Sequence, residues 1–197
     1  DGIRDIGVTG VQTCALPICF PRGHWRHDRD ECPAGGMTGR GVHVVDAMIY
    51  LAGPVSQVTA QSFRLAQDFG MDDTTSMLMR FESGATAYLG TVIASAETWR
   101  MQIFGSKAWA EVGDVEHLHT WDLKVCTIDP DNITRKRQPE RFTFEDTSTE
   151  RAELEHFARH AASRLPLALP DGDAVQNVAV FDAIKASILS GQSEKIR

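Results

Sequence analysis

The feature that most constrains the fold is a run of short strand-like segments between residues 55 and 144. Turn sequences separate them, and Ser83-Gly84 and Gly105-Ser106-Lys107 each join two strands as the turn of a hairpin. The predicted strands are residues 55–65, 76–82, 85–94, 99–104, 108–112, 118–128 and 141–144. Consecutive strands joined by short turns favour one mainly antiparallel sheet.

Helical segments stand on both sides of this run. Residues 42–52 place Val42, Val45, Ile49 and Ala52 at helical spacing, and Gly53-Pro54 ends the segment. Two more helices are predicted at residues 149–164 and 173–190. The order of one helix, a group of strands and two helices predicts an α+β fold, an open and mainly antiparallel sheet with its helices on one side.

Composition and charge exclude several classes of protein. A chain of 197 residues with 42% hydrophobic and 24% charged residues is typical of a soluble globular domain. The net charge of -7 argues against a nucleic-acid partner, and no apolar stretch approaches the roughly 18 to 20 residues that span a bilayer. The four cysteines show neither CxxC nor zinc-knuckle spacing, so we expect reduced thiols in a cytoplasmic protein.

The opening residues differ in character from the rest. Residues 1–18 resemble the peptide made when leftover sequencing-adapter DNA is translated in frame, and they lack sustained helical or strand periodicity. A short native strand and loop is the alternative. We predict that residues 1–19 are not native, that residues 20–197 form the natural domain, and that the chain is the tail of a longer protein.

Candidate chemistry is concentrated just before and inside the first helix. Glycines at positions 35, 36, 39 and 41 let the backbone pass close to a ligand, and His43 follows inside the helix, three residues before Asp46. An imidazole in a cleft can act as general acid or base near neutral pH. The alternative is a structural histidine behind a flexible loop. The glycine spacing is not GxGxxG and follows a polar loop, so it predicts no pyrophosphate-binding turn.

This region resembles a known family. The segment Gly35-Gly36-Met37-Thr38-x-x-Gly41-Val42-His43-x-x-Asp46 is similar to the Gly-Gly and Gly-x-His-x-x-Asp segment of Gfo/Idh/MocA oxidoreductases. Further similar pieces are Trp25-Arg26, Asp73-Thr74, Tyr88-Leu89-Gly90, Ile103 to Lys107, Glu155-x-Phe157 and Ala183-x-x-Ala186-Ser187, so the resemblance spans nearly all of residues 22–196. It implies an enzyme with an N-terminal Rossmann domain that binds NAD or NADP. This chain matches only the C-terminal α+β domain, whose open sheet often serves oligomerisation.

The resemblance also implies roles for individual residues. His43 would lie near the substrate carbon that faces the nicotinamide and assist proton transfer. The other candidate site residues are Trp25, Arg26, Arg40 and Asp46 toward the substrate, and Gly35 and Gly36 as a possible approach to the cofactor. Gly39 occupies the place where many polyol-oxidising members carry an aspartate, so their substrates cannot be assumed here.

We therefore predict the C-terminal substrate-binding domain of an NAD(P)-dependent oxidoreductase. It would transfer hydride to or from a sugar-like or other small hydroxylated substrate and form a homo-oligomer through its open sheet, and this fragment alone would be inactive. A non-catalytic assembly domain is the alternative. A metal-dependent hydrolase using His156 and His160, four residues apart on a predicted helix, is a third hypothesis, although no HExxH motif or third ligand is apparent in the sequence.

Overall fold

A nine-stranded sheet is the base of the structure, a computed structural model that describes residues 7–13, 23–96, 98–115, 122–145, 147–163 and 173–196. The strands are β1 (Gly7–Thr13), β2 (Val55–Phe63), β3 (Thr74–Phe81), β4 (Thr86–Val92), β5 (Thr98–Phe104), β6 (Ala108–Val112), β7 (Leu123–Thr127), β8 (Glu140–Phe142) and β9 (Glu194–Lys195). The helices are α1 (Val42–Ala52), α2 (Thr149–Ser163) and α3 (Asp173–Ser190). Across the sheet the order is β8-β7-β6-β5-β1-β4-β3-β2-β9.

The predicted fold class is confirmed. Helices α1 and α3 have the predicted bounds, and β6 does as well. Every neighbouring pair of described strands is antiparallel except β1 and β4, which run parallel. The strand predicted at residues 118–128 is described only as β7, since residues 116–121 lie outside the described residues.

The core lies between one face of the sheet and helices α1 and α3. Five residues of α1 are buried at the spacing that places them on one side of a helix: Val44, Val45, Met48, Ile49 and Ala52. They pack in one cluster with Val180 and Ile184 of α3 and with Met77 and Leu89 of the sheet. The face of the sheet opposite to this cluster is left open, and there Leu78 is 61% exposed.

Strand β1 differs from the expectation for the opening segment. Residues 1–18 were expected to lack strand periodicity, yet residues 7–13 form a strand at the centre of the sheet, paired with β4 and β5 over all seven positions. Main-chain N–H and C=O groups form such ladders, so a segment without apolar alternation can still pair. Residues 1–6 and 14–19 lie outside the described residues. The non-native origin of residues 1–19 stays a prediction.

Helix α2 is the exception to the packing of the helices, because none of its side chains is buried. Within the described part of the chain, no helix combines the length and the apolar character needed to cross a membrane.

Candidate functional site

The entrance to helix α1 has an unusual backbone. Ala34 and Gly35 adopt left-handed conformations with φ of 62° and 54°. Gly36 follows, and Met37–Gly41 then form a π-helical turn that continues into α1. A left-handed conformation costs an alanine roughly 1–2 kcal/mol, and strained backbone and π-helical turns are frequent at functional sites. The predicted glycine-rich entrance is therefore a strained turn directly before His43.

The glycines at this entrance pack mostly against the chain itself. A Cβ at Gly35 would overlap the carbonyl oxygen of Asp72, and one at Gly36 would lie 2.6 Å from a methyl group of Ile93. A Cβ at Gly41 would overlap the sulfur of Met37. The close approach that the sequence predicted is thus made to the protein's own backbone and side chains. Gly39 differs, because nothing lies within 4 Å of its Cβ position.

A buried pair of hydroxyl groups holds the strained turn. Ser62 Oγ and Thr75 Oγ1 are hydrogen-bonded at 2.7 Å, and the Thr75 hydroxyl donates to the carbonyl of Ala34 at 3.0 Å. The N–H of Met37 donates to the same carbonyl at 3.1 Å. Thr75 is only 1% exposed, so water does not compete for these bonds. Strand β3 therefore holds Ala34, the residue at which the entrance to α1 begins, through the Thr75 hydroxyl.

Two neighbouring aspartates support the same region. Asp72 has a side chain that is 6% exposed, and it forms an ion pair with Arg29, which ties the loop before the π-helical turn to the start of β3. The carboxylate of Asp73 accepts the N–H groups of residues 65, 66 and 67 and the hydroxyl of Thr74.

These hydrogen bonds set the ionisation of Asp73. Burial acts to raise its pKa, but the backbone N–H groups and the Thr74 hydroxyl together outweigh burial, so that the pKa of Asp73 is lowered. The loop between β2 and β3 is thereby folded around a carboxylate that stays ionised at neutral pH.

His43 lies on the exposed side of α1. Arg40, three residues earlier on the same helical stretch, is partly exposed on the neighbouring surface. Asp46, one turn further, is also exposed, and its Oδ1 accepts a hydrogen bond of 3.3 Å from Nδ2 of Asn177 in α3. The imidazole of His43 and the guanidinium of Arg40 thus belong to one continuous helical segment, the π-helical turn followed by α1. The carboxylate of Asp46 instead links α1 to α3.

Trp25 and Arg26 form a small stacked group in a single 3-10 turn, Trp25–His27. The guanidinium carbon of Arg26 lies 4.6 Å from the centre of the Trp25 ring, and the His24 ring stacks on that tryptophan at 5.7 Å. His24 Nδ1 accepts the N–H of Arg26 at 3.2 Å. Trp25 remains 52% exposed, so an aromatic surface is open to a ligand beside a cation.

The predicted site residues did not include the supporting Ser62, Thr75 and Asp72. One signal was present, since Thr75 continues the alternation of Met77, Met79 and Phe81 toward the core. A threonine in that phase indicates a buried hydroxyl that needs a partner. The identity of the partner, 41 residues earlier in the chain, leaves no mark in the local pattern.

Other nucleophile and metal candidates find little support. Burial raises the pKa of the Cys32 thiol, which makes it a poor nucleophile. The rings of His156 and His160 are 4.2 Å apart, and His160 Nδ1 lies 3.0 Å from the carbonyl oxygen of His156. Over the described ranges, no three His, Cys, Asp or Glu side chains form a group that could hold a metal.

Three solved structures share this fold, with identities low enough that the likeness concerns the fold alone. An NADPH-dependent oxidoreductase, as its name gives it, from Desulfitobacterium hafniense is 22% identical with a TM-score of 0.81, over 96% of this chain and 56% of that chain. The aldose-aldose oxidoreductase from Caulobacter crescentus is 19% identical with a TM-score of 0.76, over 96% and 55%. The WlbA dehydrogenase from Bordetella pertussis, in complex with NADH and UDP-GlcNAcA, is 19% identical with a TM-score of 0.73, over 98% and 55%.

The chain thus spans somewhat more than half the length of the structures that it matches. The comparison with curated protein sequences found no match. The sequence profile described as GFO/IDH/MocA C-terminal domain matches residues 10–111. Because this match covers just over half of the 197 residues, the chain belongs to the GFO/IDH/MocA family through that C-terminal domain.

Proposed function

We propose that this chain is the substrate-binding and oligomerisation domain of an NAD(P)-dependent oxidoreductase. The intact enzyme would transfer hydride to or from a sugar-like or other small hydroxylated substrate. The observation that carries the proposal is the exposed His43, three residues after the partly exposed Arg40 and four after the open Gly39, in a helix that follows a strained turn supported by buried hydrogen bonds. Family membership and the sugar names of two matched structures support the substrate class.

The residues of this chain have separate roles in the proposed reaction. A ring nitrogen of His43 donates a proton to the substrate oxygen, or accepts one from it, according to the direction of the reaction. The guanidinium groups of Arg26 and Arg40 donate hydrogen bonds to polar substrate groups, and the exposed ring of Trp25 packs against an apolar face of a sugar. Asp46 orients the site indirectly, since its hydrogen bond from Asn177 links α1 to α3.

The glycines before helix α1 do not favour a pyrophosphate-binding turn at this entrance. The space beside Gly35, Gly36 and Gly41 is occupied by other atoms of the chain, and the spacing of these glycines is not that of a pyrophosphate-binding turn. We therefore place the binding of NAD or NADP mainly in an N-terminal domain that precedes residue 20 in the intact protein, and we expect the fragment alone to be inactive. In the present chain, a non-native segment, residues 1–19, would stand where the N-terminal domain ends in the intact protein.

We also propose that the intact protein is a cytoplasmic homo-oligomer assembled through the open face of the sheet. Leu78 and Tyr88, opposite each other on β3 and β4, are exposed on the face away from α1 and α3, and two shallow grooves of about 420 and 540 Å³ flank them. Exposed apolar patches of this kind favour association. Cys32 and Cys126 are free thiols, which suits a reducing compartment.

A calorimetric titration with NADH and NADPH separates this proposal from a non-catalytic assembly domain. The 197-residue chain should give no saturable binding at micromolar concentration, whereas the intact protein, recovered from the reading frame upstream of residue 20, should bind one of the two cofactors. Micromolar binding by the 197-residue chain would contradict the placement of the cofactor site. Failure of the intact protein to bind either cofactor would favour the assembly domain.

A further inference from the structure

A cavity of about 460 Å³ opens between the loop that precedes the α1 entrance and the last turns of helix α3. The loop lines it with residues 29, 30 and 32–34, and α3 lines it with residues 185, 188 and 189. Its volume lies in the range of roughly 300–1,000 Å³ that small-molecule pockets occupy. His43 and Arg40 are not among the described residues that line it, so this cavity is separate from the site proposed for hydride transfer.

Four charged side chains line the cavity, two of each sign: Arg29, Lys185, Asp30 and Asp72. Arg29 and Asp72 form an ion pair, in which the Asp72 side chain is only 6% exposed. Lys185 and Asp30 are both exposed, and neither forms an ion pair with another described residue. The cavity therefore presents one ammonium and one carboxylate that no described side chain of opposite charge neutralises.

Arg29 adds a second cation with unused hydrogen-bonding capacity. Its side chain is 62% exposed, and it reaches Asp72 through one nitrogen, Nη2. A guanidinium carries five N–H donors in a planar fork that suits carboxylates. Arg29 can therefore donate to a bound carboxylate and still keep its ion pair with Asp72.

The rest of the lining includes apolar side chains. Ile188 packs against the core of the protein, whereas Leu189, the next residue of α3, is 87% exposed. Pro33 lines the cavity from the loop. An apolar group placed against these side chains leaves water together with them, which favours binding. The lining thus suits a ligand that has both charged groups and an apolar part.

We propose that this cavity binds a free amino acid with an apolar side chain. Its α-carboxylate accepts hydrogen bonds from Lys185 and Arg29, its α-ammonium donates to Asp30, and its side chain packs against Leu189. A zwitterion fits because the four charged side chains of the lining sum to zero. A ligand with a single charge would leave either Lys185 or Asp30 without a partner. The proposal is independent of hydride transfer and of the origin of residues 1–19.

The first test compares L-leucine with three matched compounds on the full 197-residue chain. Isoamylamine lacks the carboxylate of leucine, isocaproate lacks the ammonium, and glycine lacks the apolar side chain. Binding is followed by amide NMR titration of the isotope-labelled protein at neutral pH, which gives both the Kd and the residues affected. We expect saturable binding of leucine with a Kd of about 1 mM or below, and shifts in residues 29–35 and 185–189.

The three compounds separate the parts of the site. Isoamylamine and isocaproate should each bind at least about threefold more weakly than leucine, because each loses one ion pair at an exposed position. Glycine should bind about tenfold more weakly, because it buries no apolar group. Isocaproate binding as tightly as leucine would mean a simple anion site, and isoamylamine doing so would mean a cation site. Either result, or an absence of leucine binding, would overturn the proposal.

The second test assigns each charge of the ligand to its partner. Lys185→Gln should weaken leucine and isocaproate at least about threefold and leave isoamylamine unchanged, whereas Asp30→Asn should weaken leucine and isoamylamine and leave isocaproate unchanged. Both side chains are exposed, so we expect both variants to fold as the wild type does in urea unfolding.

Lys107→Gln and Asp131→Asn are the matched controls, since they make the same changes at exposed positions outside the cavity. They should bind leucine as the wild type does. Leucine binding that is unchanged in Lys185→Gln and Asp30→Asn, or weakened equally in the controls, would place the ligand elsewhere and overturn the proposal. Neither test involves a nicotinamide cofactor or turnover, so failure here is distinguishable from failure of the proposed function.

Discussion

Replacing Thr75 with valine tests whether the buried hydroxyl pair holds the entrance to helix α1. Valine keeps the branched shape of threonine and removes only the hydroxyl, so the bonds at 2.7 Å to Ser62 and at 3.0 Å to the Ala34 carbonyl are lost. The Ala34 carbonyl keeps the N–H of Met37, whereas the buried Ser62 hydroxyl loses its partner. A buried polar group left unsatisfied costs about 1–3 kcal/mol, so we expect the free energy of unfolding to fall by about 2 kcal/mol.

Urea unfolding measures this loss, and amide hydrogen exchange shows where it acts. We expect faster exchange in residues 34–41 for Thr75→Val, since the strained turn loses its support. Thr86→Val, on the exposed face of β4, is the matched control and should change stability by less than about 0.5 kcal/mol. Adding Ser62→Ala to Thr75→Val should cost less than the sum of the single changes, because both partners are then removed. A Thr75→Val protein with unchanged stability and unchanged exchange at 34–41 would refute the supporting role.

Three further predictions follow from the same structure. Ala34→Gly should raise the free energy of unfolding by up to about 1 kcal/mol in thermal or urea unfolding, because glycine adopts a φ of 62° without the steric cost, and a loss of stability would contradict the strain. The lowered pKa of Asp73 contributes stability that is present above the ordinary carboxyl pKa of about 4 and is lost as the pH falls through the lowered value. In Asp73→Asn the free energy of unfolding should therefore depend less on pH between about pH 5 and pH 3. The same pH dependence in this variant and the wild type would exclude the contribution. Leu78→Glu should shift the oligomer toward monomer in sedimentation experiments while Ile133→Glu, also exposed but in the loop after β7, should not, and equal effects would argue against the open face as the interface.

Local patterns predicted most elements of the fold. Helix α1 could be predicted because residues at helical spacing are apolar up to Gly53-Pro54. Strands β3 and β4 could be predicted because apolar residues alternate on both sides of a Ser-Gly turn. Strand β9 has only two residues, which is too short for any periodicity. The place of β1 depends on pairing with residues 79 to 97 positions later in the chain, and main-chain pairing leaves no mark in the sequence of the strand itself.

The candidate site was predictable in its exposed residues and not in its supporting ones. His43 and Arg40 were found because their residue types and positions suggest chemistry, and both are accessible on the helical stretch. The need for glycine at position 35 was also recognised, but the sequence cannot distinguish a ligand from the Asp72 carbonyl as the close neighbour. The bond from Asn177 to Asp46 joins residues 131 apart, a pairing that only the packing of α1 on α3 creates.

We propose that His43 moves the proton in an oxidoreductase of this family. The most direct measurement is the turnover number of the intact protein, assayed with its cofactor by nicotinamide absorbance on a panel of sugars, for the wild type, His43→Ala and the control His156→Ala. A general acid or base contributes about 10²- to 10⁴-fold, so kcat should fall at least about a hundredfold for His43→Ala while His156→Ala stays near the wild type. A His43→Ala enzyme with unchanged kcat would show that His43 is not the acid or base.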